Sequence, residues 1–250
     1  MDTLAKNYEF GPGLLKDRII MITGATDGIG RALAVRAGQL GARVILHGRN
    51  VKRLEAVYDE IERIDDALRP SIAMLDLATA DGDAYRSLAS SIEEEFGHLD
   101  GLVHNAGILG SRHSIEQYDA IEWQQVMHVN LTAPFALTQV MLPLLRKTQH
   151  PSIIFTSSGV GRVGKAFWGA YSVSKFGTEA LSQILSNENM HSGMRVNCIN
   201  PGSVRTKMRL AAYPAEDRDA LKGPEDVLTA YLYLLGPDSE DVSGQSLDAQ

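Results

Sequence analysis

From Arg18 to Leu247, short apolar runs alternate with amphipathic stretches, and that alternation leaves few architectures open. Arg18–Thr23 reads as a buried strand closed by Gly24. The helix Gly28–Leu40 follows, with Ile29, Leu33, Ala37 and Leu40 on one face and Gly41 as its stop. Further strands are expected at Arg43–His47, Ser71–Leu75, Leu99–His104, Ser152–Thr156 and Arg195–Ile199, with a short last one at Gln245–Leu247. Helices are expected at Val51–Ile64, Ala84–Phe96, Ile115–His128, Leu131–Lys147, Ala170–Met190 and Pro224–Leu235. Strand–helix units in series build parallel crossovers. Strands that are apolar almost throughout are covered on both faces. The expectation is an α/β fold, doubly wound, with three layers around a mostly parallel sheet of about seven strands.

The 250 residues show no linker, repeat or low-complexity tract, so 1–250 reads as one domain. Residues 1–17 read as a loose lead-in. Residues 203–222 lack a strand pattern and are either a lid over a pocket or a polar connection. A chain with 44% hydrophobic and 22% charged residues is not disordered. With 24 basic against 31 acidic residues the net charge is −7, which argues against a broad nucleic-acid surface. A single cysteine, Cys198, excludes an internal disulfide framework and fits a reducing, cytoplasmic setting. The first 25 residues lack the apolar core of a signal peptide, and no apolar run reaches the ~18 residues of a membrane span. The histidines are scattered without ligand spacing, so no metal is expected.

Thr23-Gly24-Ala-Thr26-Asp27-Gly28-Ile29-Gly30 joins the first strand to its helix. Glycines there let a backbone approach a pyrophosphate, and the helix start offers free N–H groups to it. An ordinary tight turn is the bland alternative, but this spacing is expected only about 0.01 times by chance in such a composition. The next strand ends His47-Gly48-Arg49-Asn50. The acidic residue that would bind the ribose hydroxyl of NAD is missing there. Arg49, with His47 assisting, suits a 2′-phosphate, so NADP(H) is expected rather than NAD(H). Asp27 argues the other way, because a basic residue in the turn would favour NADP further.

Tyr171 and Lys175 lie four apart at the start of a helix and share a face. An ammonium beside a phenol favours the phenolate and draws its pKa below ~10. The pair alone is weak, since about 0.26 chance occurrences are expected. Context strengthens it: a strand ends Thr156-Ser157-Ser158, which brings hydroxyls to the ligand-binding edge of the sheet.

With these segments the chain resembles the single-domain short-chain dehydrogenase/reductases over about residues 15–248. The matching residues are the turn TGATDGIG, Asp76-Leu77, Asn105-Ala106-Gly107, Asn130, Ser158, Tyr171 with Lys175, and Pro201-Gly202. HNAGILG, FTSSGVGR, WGAYSVSKF and RVNCINPG resemble the YciK-type bacterial oxidoreductases within the family. The resemblance implies a Rossmann-type fold and an NADP(H)-dependent oxidoreductase that interconverts a carbonyl and an alcohol. Tyr171 would be general acid or base, Lys175 would lower its pKa and hold the nicotinamide ribose, and Ser158 would polarise the carbonyl. Asn130 would hold a relay water. Gly24, Gly28, Ile29 and Gly30, in one turn with Thr26 and Asp27, would line the pyrophosphate. Asp76 and Leu77 would meet adenine, Asn105 with Ala106 and Gly107 would floor the adenosine, and Pro201, Gly202, Val204 and Thr206 would border the nicotinamide. The C-terminal DAQ departs from the Gly-rich finish of many members. A homodimer or homotetramer built through the long helices would be usual. A non-catalytic NADP(H) sensor and a nucleotide-sugar epimerase are the competing readings.

Arg162, Lys165, Arg205, Lys207 and Arg209 cluster near the expected mouth. They would attract an anionic substrate, or they are ordinary surface charge. Phe167 and Trp168 either wall a substrate pocket or pack at a helix entry. His104 and His128 read as structural, Cys198 as an inert core thiol, and Glu93–Glu95 as a solvated helix face.

Overall fold

A computed structural model describes residues 5–64 and 69–250. Its strands are β1 (Ile19–Thr23), β2 (Arg43–Gly48), β3 (Ser71–Met74), β4 (Gly101–His104), β5 (Ser152–Thr156), β6 (Arg195–Asn200) and β7 (Ser246–Asp248). They form one sheet in the order β3-β2-β1-β4-β5-β6-β7, and every pair is parallel. The helices are α1 (Gly28–Gln39), α2 (Val51–Glu62), α3 (Gly82–Phe96), α4 (Ala120–Met127), α5 (Ala133–Leu145), α6 (Gly169–Glu188), α7 (Lys207–Ala212) and α8 (Leu228–Leu235). The doubly wound expectation is met.

The two-residue period of a strand feeds two cores. Ile20 and Ile22 of β1 join Leu33, Leu54, Ile61 and Tyr231 on one face of the sheet. Ile19 and Met21 join Ile92, Leu137, Met141 and Leu185 on the other. Helix starts are set by side-chain caps. Asn50 accepts from the Arg53 N–H at 3.1 Å, Asp81 from Ala84 at 2.9 Å and Asp119 from Glu122 at 2.8 Å. Gly41, at φ +94°, turns the chain off α1 as expected.

Several expectations are corrected. β3 is not covered on both faces: Met74 is 62% exposed, because the strand lies at the sheet edge and no further strand screens it. The helix expected from Ile115 starts at Ala120, where Asp119 caps it, and Ile115–Gln117 is a separate 3-10 turn. The two helices expected over 115–147 are joined through a π-helical turn, His128–Thr132, which carries Asn130 inward. The helix expected from Pro224 opens with a 3-10 turn to Val227. Residues 203–222 contain α7, capped by Thr206, and return beside themselves through a Val204–Lys222 bridge.

The lead-in is not loose over residues 5–17. Ala5 and Leu15 are fully buried, and Tyr8 donates a hydrogen bond to Asp238 at 2.7 Å while its ring meets Tyr233 edge-on. Residues 1–4 lie outside the described residues. No helix among the described residues is long and apolar enough to cross a membrane. If the lead-in belongs to the core, Leu15→Ala should lower the unfolding free energy by about 2–4 kcal/mol. Urea unfolding measures this, and a loose segment would leave it unchanged.

Candidate active site

The sheet order reverses between β1 and β4, whose chains leave in opposite directions and open a crevice at the strands' carboxyl ends. A cleft of about 400 Å³ lies there. All the residues assigned to catalysis or to the cofactor line it except Gly30 and Asn130, which stand behind its wall.

Thr23 pins the two strand ends together. Its hydroxyl donates to the Val103 carbonyl at 3.2 Å and accepts from the N–H groups of Asn105 and Ala106, both at 3.0 Å. Asn105 returns its side-chain amide to the Thr23 carbonyl at 3.2 Å. This close approach explains two glycines of the turn from inside the protein. A Cβ at Gly30 would sit 2.3 Å from the Gly24 carbonyl oxygen, and one at Gly24 would sit 2.9 Å from Ala106 Cα. The first turn of α1 thereby lies bare along the cleft, as a pyrophosphate requires.

At the far end of the cleft, α6 presents Tyr171 and Lys175, both buried. The Lys175 Nζ lies 5.6 Å from the Tyr171 ring centroid and donates to the Thr156 carbonyl at 2.6 Å. Burial pushes the Lys175 pKa down to about 8. The Tyr171 phenol differs from expectation. Burial outweighs other influences and raises its pKa to about 12, opposed by the nearby Ser158 hydroxyl. Tyr171 is thus a neutral phenol, the form that donates a proton. Asn130 has its side chain fully engaged: Oδ1 accepts from the Ile108 N–H at 2.8 Å, and Nδ2 donates to Ile108 O at 2.9 Å and Ser174 Oγ at 3.1 Å. It holds the loop after β4 against α6.

At the opposite end, Arg49 is exposed and stands 3.8 Å from Asp76. His47 is buried with both ring nitrogens unpartnered, and burial lowers its pKa to about 4. It can offer a hydrogen bond there but not a charge. Asp27 caps Gly28 and is paired with Lys207 from α7. The anion in the turn, where a basic residue would favour NADP, is therefore paired from across the cleft. The C-terminal residues also reach the site, since Gln250 donates to the Pro201 carbonyl at 2.6 Å. A nicotinamide dinucleotide fits these residues: bare backbone at the centre, a guanidinium at one end, and the phenol and ammonium at the other.

The remaining wall is apolar. Trp168 lies buried against Tyr171 at 5.7 Å between ring centroids, with Met208 and Ala212 nearby, whereas Phe167 is exposed at φ +68° and lies off the cleft. The basic cluster is largely neutralised. Arg162 pairs with Glu179 and Asp248, Arg205 with Asp219, Lys207 with Asp27 and Arg209 with Glu216. Sequence reasoning missed Arg112 and Tyr213. Arg112 lies over the Trp168 and Tyr213 rings at 4.7 and 4.9 Å and donates to the Ala212 carbonyl, fastening α7 beside Trp168. A lone arginine in a loop carries no pattern that would reveal this. His104 is structural as expected, hydrogen-bonded to Thr138 at 2.8 Å and stacked on Phe155, and Cys198 is buried.

A buried ammonium costs stability. The folded protein releases the Lys175 proton at about 8 and the unfolded chain near 10.5, so the cost is present below pH 8 and fades as pH rises between those values. Lys175→Met should therefore raise stability at pH 7 by about 1–2 kcal/mol. Unfolding curves should show that advantage shrinking towards pH 10.

Comparison with known proteins agrees with this geometry. The family model of short chain dehydrogenases matches residues 18–217. The uncharacterized oxidoreductase YciK of Escherichia coli is 46% identical over 98% of this chain and 96% of its own. A short chain dehydrogenase structure from Pseudomonas syringae superposes with TM-score 0.96 at 48% identity, covering 98% of this chain and 99% of that one. Another from Shigella flexneri, complexed with NADP, gives TM-score 0.94 at 46% identity, covering 96% and 100%. The chain belongs to the short-chain dehydrogenase family and is an oxidoreductase of CH–OH and C=O groups.

Proposed function

We propose that the protein is an NADP(H)-dependent oxidoreductase that interconverts a carbonyl and an alcohol, with Tyr171 as general acid/base. The observation that carries this reading is the convergence of Tyr171, Lys175 and Ser158 at one end of a dinucleotide-sized cleft. The whole described chain contributes to one sheet, so 1–250 is read as one dehydrogenase domain.

When bound, the nicotinamide supplies the hydride. In reduction, the Ser158 hydroxyl orients the substrate oxygen, and the Tyr171 phenol donates its proton to that oxygen as negative charge develops there. The Lys175 ammonium stabilises the phenolate left behind. In oxidation the same phenolate takes the proton from the alcohol. Asn130 keeps the loop after β4 in place beside Lys175. A non-catalytic sensor would need only the nucleotide-binding half of the site and would gain nothing from Ser158 and a buried Tyr171 at its far end, so catalysis is the better reading.

Arg49 is the residue assigned to the 2′-phosphate, supported by the absence of a carboxylate at the end of β2 and by the NADP in the Shigella relative. The apolar wall of Trp168, Met208 and Ala212, with its basic rim already paired, suits a small carbonyl or alcohol with an apolar body rather than an anion. Exposed Phe135 on α5 and Val173, Phe176 and Ile184 on α6 support assembly as a homodimer or homotetramer through these helices. A cytoplasmic setting fits the free thiol of Cys198.

Tyr171→Phe should retain NADPH binding in a fluorescence titration while losing about a hundredfold or more in kcat on a panel of aldehydes and ketones. Undiminished kcat would remove Tyr171 from the mechanism. Arg49→Ala should weaken NADPH by about tenfold or more and leave NADH nearly unaffected, because only the phosphate ester needs the guanidinium. Equal losses would reverse the cofactor assignment.

A further inference from the structure

One face of α6 carries Tyr171, Lys175 and Glu179 at four-residue spacing. Each meets one residue of the continuous segment that ends β5. Ser158 and Tyr171 line the same end of the cleft, and Lys175 donates to the Thr156 carbonyl at 2.6 Å. Glu179 accepts from the Ser157 hydroxyl at 2.5 Å. The same Glu179 oxygen accepts from Ser246 of β7 at 2.8 Å, and the Arg162 guanidinium stands 3.6 Å away, itself held by Asp248 at 2.7 Å. Glu179 is only 8% exposed. Apolar side chains could fill that position without the cost of burying a carboxylate.

The groups that face Lys175 narrow what this carboxylate does. They are Tyr171 and Glu179 from α6, Cys198 from β6 and His104 from β4. Burial keeps the Tyr171 phenol and the Cys198 thiol protonated and the His104 imidazole neutral, with a pKa of about 3. Glu179 is the one carboxylate among them, with the Arg162 guanidinium 3.6 Å away.

Resting on the reading of Tyr171, Lys175 and Ser158 above, we propose that Glu179 is a positioning residue of the reaction. Through Ser157 it fixes the strand end that presents Ser158, and it supplies the buried negative charge that faces the Lys175 ammonium.

Two variants separate these roles. Glu179→Gln keeps the volume and an acceptor for Ser157 but removes the charge. In the protein without cofactor, the Lys175 titration midpoint, read by NMR of its side-chain nitrogen, should fall by about one pH unit. The alkaline limb of kcat should move down with it. Ser157→Ala keeps the charge and should lower kcat roughly tenfold, with the alkaline limb and NADPH affinity unmoved. A wild-type midpoint and alkaline limb in Glu179→Gln overturn the charge role. Wild-type kcat in Ser157→Ala overturns the positioning role, and it decides the matter if Glu179→Gln does not fold. A wild-type protein that leaves NADPH unoxidised with every carbonyl of the panel defeats the reading of function instead, while the Lys175 midpoint still judges Glu179.

Discussion

The Thr23 hydroxyl holds together the place where the sheet changes direction. β1 and β4 diverge into helices on opposite faces, and nothing in a parallel ladder prevents their ends from splaying. One side chain that donates to Val103 and accepts from Asn105 and Ala106 closes that gap. The closure brings Asn105 so near the turn that Gly24 and Gly30 have no room for a Cβ. The bare start of α1, the floor of the cleft and the route to Tyr171 follow from this junction.

The catalytic end trades stability for chemistry. A buried phenol and a buried ammonium both cost free energy, and the ammonium is offset by its hydrogen bond to the Thr156 carbonyl at the end of β5. The phenol's elevated pKa is part of this arrangement. Burial keeps the proton on Tyr171, and the nearby Ser158 hydroxyl and Lys175 ammonium become valuable when the proton leaves. The same economy governs the rim, where charges are matched in pairs. Lys207 on α7 meets Asp27 on the glycine turn, and Arg209 meets Glu216, so α7 is tied down by charge as well as by the stacking of Arg112 on Trp168 and Tyr213.

Much of the fold and site was legible before any coordinates, for identifiable reasons. The strands were found because burial on both faces leaves continuous apolar runs, and β3 departed because an edge strand faces solvent. The start expected at Ile115 is five residues early, because Asp119 caps α4 and Ile115–Gln117 forms a separate 3-10 turn. Tyr171, Lys175 and the glycine turn were visible because their spacing is local. Arg112, Tyr213 and the partners of Glu179 were not, because they meet across long stretches of chain.

By itself, then, the sequence determined the succession of elements, the parallel sheet and the two halves of the site, since periodicity, caps and short spacings act within a few residues. Only the tertiary structure decided which charges are free. Asp27, Arg162 and Arg209 read as unpaired in one dimension and are neutralised in three, because an ion pair depends on distance in space and not on separation along the chain.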